Sequence, residues 1–214
     1  MTTPAVVPSA LILDFGGVLT TNLYDVFRDF ARREGLDVEA VVETATTNPD
    51  GVALWHALER GELGQVDFEE GLGKILDVEP DRLLARLAAL LRPDEPMLTA
   101  LEQLRAAGVR TAVLSNSWGH GYLDPYAPWA LETRADVVVL SDQVRMRKPE
   151  PAIFQLAVDR LDVAPAQCVF IDDIAAYLDT PARLGITTIH HTDTTATINR
   201  LTALFGVELA QTAP

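Results

Sequence analysis

Cysteine, cationic side chains and long apolar runs are what this chain of 214 residues is short of. Its single cysteine, Cys168, has no partner in the sequence, so an internal disulfide is excluded and the thiol reads as a small buried hydrophobe. Lys and Arg number 17 against 31 Asp and Glu, a net charge of −14. Phosphate backbones need a basic footprint, so this balance argues against a nucleic-acid partner. A small phosphorylated metabolite stays open, because such a ligand responds to local cations and helix ends. No segment is long and apolar enough to span a bilayer, which argues against a membrane partner. The start, Met1-Thr2-Thr3-Pro4, lacks the basic residues and apolar stretch of a signal peptide, since the run that follows ends in Asp14. Repeats and low-complexity tracts are also missing. The expectation is a soluble cytoplasmic protein, monomer or homodimer, built as one domain or as one domain carrying an inserted cap.

What is present is a set of short runs rich in Val, Ile and Leu, at about 9–14, 109–114, 136–140, 167–172 and 186–190. They lack the polar alternation of a one-sided sheet and suit strands covered on both faces. Between them lie helical patterns. Met97–Ala107 carries Leu98, Leu101 and Leu104 on one face with Gly108 as C-cap, and Ala152–Leu161 turns Ile153, Leu156 and Ala157 inward. Alternating strand and helix predicts an α/β fold with a parallel sheet. Residues 20–92 hold no strand candidate and read as consecutive helices. Their apolar stripes are Leu23, Val26, Phe27 and Phe30; Leu54, Trp55 and Leu58; Leu83, Leu84, Leu87 and Leu91. So long an insertion predicts a small bundle over the carboxyl ends of the strands, a lid that shapes specificity and excludes water. The division expected is 1–19 and 93–214 as core, with 20–92 as helical cap.

Asp14 closes the run Ala10-Leu11-Ile12-Leu13 and opens into Phe15-Gly16-Gly17-Val18-Leu19-Thr20. An acid at the carboxyl end of a buried strand stands where open α/β sheets place their ligand chemistry. Three later patches supply partners: Ser115-Asn116 after Ala112-Val113-Leu114, Lys148 within Arg147-Lys148-Pro149-Glu150-Pro151, and Asp172-Asp173 after Val169-Phe170-Ile171. In this order the four patches resemble the motifs of the haloacid dehalogenase-like hydrolase superfamily, along nearly the whole chain. The resemblance implies a Rossmann-like sheet with helices on both faces, a first-type (C1) helical cap inserted after the first motif, and phosphatase-like chemistry.

Under that reading Asp14 is the nucleophile that forms an aspartyl-phosphate. Lys148 neutralises charge on the attacking carboxylate and on the phosphate. Ser115 and Asn116 bind the oxygens of the transferring group. Magnesium, Mg2+, wants hard oxygen ligands, which Asp14, Asp172, Asp173 and the backbone carbonyl of Gly16 would supply. One position departs from the pattern. Where relatives usually carry a second acid, serving as proton donor to the leaving group, this chain has Gly16. General acid–base help is typically worth about 10²–10⁴ in rate. Three consequences are open: a leaving group of low pKa, a substitute acid among Tyr24, His56 and His120, or loss of efficient turnover.

The preferred function is therefore magnesium-dependent hydrolysis of a small phosphomonoester. The alternatives are a hydrolytic dehalogenase of the same superfamily, or a non-catalytic binder of phosphorylated ligands. Other features are less directed. Trp118-Gly119-His120-Gly121-Tyr122 reads either as a mobile pocket wall or as a surface turn with a docked Trp. His190 and His191 point to opposite faces and do not form one metal site. Tyr177 stands where many relatives have Asn, and Thr180-Pro181 reads as an N-cap and first helical residue.

Overall fold

Central β1 (Ala10–Leu13) pairs with β2 (Arg110–Ser115) on one side and β4 (Cys168–Asp172) on the other, with β3 (Val137–Leu140) and β5 (Thr187–His190) outermost. This computed structural model describes residues 7–210, and the reading of Met1–Pro4 lies outside them. All five strands are parallel, in the order β3-β2-β1-β4-β5, and each falls within a residue or two of its expected run. The α/β architecture is the one expected. The helices are α1 (Leu23–Glu34), α2 (Val38–Thr46), α3 (Pro49–Glu59), α4 (Gln65–Leu76), α5 (Leu83–Ala88), α6 (Glu95–Ala106), α7 (Leu131–Arg134), α8 (Ser141–Val144), α9 (Pro151–Leu161), α10 (Asp179–Arg183) and α11 (Thr194–Phe205). Among the described residues, no helix is long and apolar enough to cross a membrane.

Successive residues of each strand feed two different cores. Leu11 and Leu13 of β1 join Val113, Val169 and Ile171 against Leu98, Leu101 and Leu104 of α6 and Ile198 and Leu201 of α11. Ala10 and Ile12 join Ala112, Leu114 and Phe170 against Ile153, Phe154, Ala157 and Leu161 of α9. Both faces are covered, which is why the strands read as continuous apolar runs. Truncating a fully buried member such as Leu101 to Ala should cost roughly 2–5 kcal/mol. Two local expectations need correction. Leu156 is only half-buried at the margin of the second core, because the turn of α9 brings Phe154 and Val158 inward instead. Helix α10 starts at Asp179 with Leu178 as its N-cap, so Pro181 lies within the first turn, where its missing N–H breaks no helical bond.

Helices α1 to α5 gather around a third core that includes Val26, Phe27, Phe30, Trp55, Phe68, Leu83, Leu84 and Leu87. Their starts are set locally: Asn22, Asp37 and Asn48 cap α1, α2 and α3 through side-chain oxygens, and Pro49 opens α3. The chain enters and leaves this insertion side by side. Thr20 and Pro93 form an antiparallel bridge, Thr21 N donates to Arg92 O at 2.8 Å, and Asp94 N donates to Leu19 O at 3.0 Å. A second connection is made at a distance in sequence. Trp118, in the loop after β2, is buried in the third core with its ring centroid 6.1 Å from that of Trp55. Gln65 holds the same loop through bonds from Nε2 to the carbonyls of Trp118, Gly119 and Leu123, at 3.3, 3.2 and 2.9 Å. The docked-Trp reading of this segment is the one the packing bears out, and Trp118 also walls the cavity described next.

Candidate active site

Chain direction diverges at the carboxyl ends of β1 and β4: one leads toward β2 and the other toward β5. Such a switch point leaves a crevice outside the strand ends. Asp14 and the pair Asp172-Asp173 border it, and their carboxylates lie within 4.8 Å of one another. Asp14 is 7% exposed, and its Oδ1 accepts from Phe15 N at 2.7 Å and lies 2.8 Å from Lys148 Nζ. Lys148 is fully buried, and its Nζ also lies 2.6 Å from Asp172 Oδ2. The rings of Tyr177 and Phe170 flank the ammonium, with centroids 5.4 and 5.7 Å away.

The surroundings hold this lysine from both ends. Asn116 Oδ1 accepts from Lys148 N at 2.8 Å, and Asn116 Nδ2 donates to Lys148 O at 3.2 Å. The Asn116 amide is thereby committed to positioning Lys148. Ser115 lines the cavity at the end of β2, its Oγ paired with Tyr126 Oη at 2.9 Å. Asp172 Oδ1 accepts from Ile174 N at 2.8 Å, and Asp173 Oδ2 accepts from Asn22 Nδ2 at 2.5 Å.

Three carboxylates face one ammonium here, a formal excess of two negative charges. The acids respond to it. Burial, reinforced by Asp172 and Asp173 and opposed by Lys148, holds Asp14 well above the usual carboxylate range. Burial and the neighbouring Asp172 push Asp173 up to about 6. Burial disfavours the Lys148 charge, yet Asp14 and Asp172 outweigh it and raise its pKa above the ordinary lysine value. The donors are hard oxygens and the excess charge is that of a divalent cation, so the set fits magnesium.

Gly16 and Gly17 differ in what they tolerate. Gly17 has φ +78°, and a Cβ there would fall 2.1 Å from Asp173 Oδ2. That glycine is required, because any side chain would strike the acid and strain the backbone. Gly16 keeps an ordinary backbone, and a Cβ would meet Leu23 Cγ at 3.4 Å. A Cβ at Gly16 would therefore sit in ordinary van der Waals contact, unlike one at Gly17.

A cavity of about 270 Å³ opens over the crevice. Tyr24 and His56 reach it from α1 and α3, while His120 does not. The His120 side chain is 81% exposed and binds Asp142 Oδ2 at 2.8 Å on another face, so its candidacy as a substitute acid is withdrawn. His190 bonds Asp173 O and His191 bonds Thr197 Oγ1, so the pair divides as expected. Several site residues escaped the sequence reading. Tyr126 partners Ser115, Asn22 partners Asp173, and Glu59 pairs with Arg147 at 2.6 Å. Tyr177 Oη receives Arg147 Nη2 at 3.1 Å. No local signal paired Tyr126 with Ser115, Asn22 with Asp173 or Glu59 with Arg147.

Two relatives match along most of both chains. The sesquiterpene phosphatase astK of Aspergillus oryzae is 26% identical over 92% of this chain and 96% of its own. A phosphorylated carbohydrates phosphatase of Thermotoga maritima is 28% identical over 85% of this chain and 83% of its own. Other curated relatives are longer, and the chain spans about a fifth of the length of the first of them. Among solved structures, a HAD family enzyme of Bacteroides thetaiotaomicron, in complex with magnesium and inorganic phosphate, superposes with a TM-score of 0.63 at 22% identity, over 85% of this chain and 93% of that one. The profile of the haloacid dehalogenase-like hydrolases matches residues 8–185, and the chain belongs to that family.

Proposed function

We propose that this protein is a magnesium-dependent hydrolase of small phosphomonoesters that works through an aspartyl-phosphate on Asp14. The observation that carries the reading is the buried Lys148 ammonium, bridging Asp14 and Asp172 beside Asp173 at the sheet's switch point. Asp14 Oδ1 is held by Phe15 N and Lys148 Nζ, which leaves Oδ2 without a protein donor. Attack by Asp14 forms a carboxylate–phosphorus bond as the ester oxygen departs. Water then cleaves the acyl phosphate, releasing phosphate and restoring the carboxylate. Lys148, itself fully buried, offsets negative charge on nucleophile and phosphoryl group. Ser115 stands at the strand end to meet a phosphoryl oxygen, and Asn116 fixes the lysine backbone. Asp14, Asp172, Asp173 and the Gly16 carbonyl would hold the metal, which when bound supplies Lewis-acid stabilisation of the phosphoryl oxygens.

Support comes also from the two phosphatase relatives, which share phosphate-ester chemistry and differ in the organic group their names give. In this reading residues 20–92 are a C1-type cap that closes over the crevice and selects the substrate. The test is phosphate release from p-nitrophenyl phosphate. Turnover should require magnesium, stop in EDTA, and fall to background in Asp14→Asn. Activity on 2-chloropropionate that survives EDTA, without phosphate release, would replace this reading with the dehalogenase one. Metal-dependent ligand binding with no turnover at all would leave only the binder.

A further inference from the structure

The cap-side wall of the cavity is formed by Leu23, Phe27, Ala45, Val52, Trp55 and Leu91. Most polar side chains that reach the same space are already engaged. Thr46 Oγ1 donates to Val42 O at 2.7 Å, Glu59 and Arg147 bind each other, Tyr177 Oη takes Arg147 Nη2, and Tyr126 Oη pairs with Ser115. Two lining groups remain without a protein hydrogen-bond partner, the Tyr24 hydroxyl and the His56 ring, while Trp55 Nε1 lacks one but is buried beneath the wall.

From this division we infer that the group esterified to the phosphate is a compact hydrocarbon or aryl group and not a sugar. The inference rests on the phosphatase reading of the same site and names its substrate class. A sugar ring brings several hydroxyls, each both donor and acceptor, into a wall that can answer few of them. Each hydroxyl stripped of water and left unpaired weakens binding by about tenfold. An apolar group has nothing to satisfy there and gains by leaving water. The volume limits its size: about 270 Å³ lies at the small end of the range of ligand clefts. That space suits a ring or a short branched chain.

The test compares cyclohexylmethyl phosphate with glucose 6-phosphate, two primary esters on rings of similar size, in magnesium. The carbohydrate is the better leaving group, so reactivity alone would favour it. The expected kcat/KM is at least tenfold higher for cyclohexylmethyl phosphate, and Val52→Asn should shrink that ratio at least threefold. An equal or reversed preference in the wild type overturns the inference, and a ratio untouched by Val52→Asn removes the wall's part in it. Acetyl phosphate, which carries no ring, separates the two readings. If it is hydrolysed while the sugar ester is preferred, the hydrolase reading stands and this inference falls. If no ester is turned over, thermal shifts with magnesium decide. A larger shift from cyclohexylmethylphosphonate than from glucose 6-phosphate upholds the apolar site without the hydrolase, and an equal or smaller one overturns it.

Discussion

Glu59 Oε2, at the end of α3, lies 2.6 Å from Arg147 Nε, one residue before Lys148, with their side chains only 15% and 8% exposed. The pair ties the helical insertion to the segment that carries the site's lysine. Beside it Ser141 Oγ donates to Glu59 O at 2.6 Å, and Arg60 reaches Glu150. Removing one member of a buried pair strands the other charge, which typically costs about 3–5 kcal/mol. Glu59→Ala should therefore lower stability in urea melts by roughly that amount. It should also raise KM, since Arg147 also donates to Tyr177 over Lys148. A variant as stable as wild type would mean that the pair is not the tie described here.

Magnesium should stabilise the folded chain, because three carboxylates converge only after folding. At about 100 times Kd the gain is about 2.7 kcal/mol, which for a protein of this size means a Tm rise of about 5–10 °C. Asp173→Asn should lose most of that rise while keeping the Lys148 contacts to Asp14 and Asp172. Calorimetric scans with and without the metal check this. An undiminished shift in the variant would take Asp173 out of the ligand set.

Gly16→Asp tests the missing acid directly. The backbone accepts a side chain there, provided that Leu23 yields slightly. If leaving-group protonation is what the site lacks, primary alkyl phosphates should speed up by up to about 10²–10⁴, and aryl esters much less. A flat dependence on leaving-group pKa in the wild type would show that no acid is missing. Tyr24 and His56 would then be the residues to mutate next. Gly17→Ala is the contrasting control and should impair folding or activity, because its Cβ would fall on Asp173.

Stability in acid should depend on Asp136, at the start of the segment leading into β3. Its carboxylate accepts from Thr111 N at 2.9 Å and Arg105 Nε at 2.8 Å. Partial burial opposes the charge, yet these bonds win and hold its pKa below the ordinary Asp value. The unfolded chain thus binds this proton more readily. The stabilisation is full above the unfolded pKa of about 3.9 and is lost as pH falls through the lower folded value. Melts of Asp136→Asn against wild type should differ at pH 6 and converge toward pH 2. A difference that stays constant across that range would assign the effect to packing instead.

The strands, their order along the chain and the four patches, three at strand carboxyl ends and Lys148 just before α9, were legible in the sequence because each is a local signal. An apolar run, a capping residue or an acid beside glycines declares itself within a few positions. Nothing in the sequence reading marked Asn22. Its bond to Asp173 spans 151 residues, and those of Glu59 to Arg147 and Asn116 to Tyr177 span 88 and 61. No periodicity encodes such pairs, since they depend on how the sheet order and the insertion bring distant segments together. The same holds for the errors. His120 lies close in sequence to Ser115 and Asn116, but the Gln65 contacts and the docking of Trp118 turn its loop outward. The tertiary structure alone decided which glycine is indispensable and which groups line the cavity, because both are questions of what meets a side chain across space.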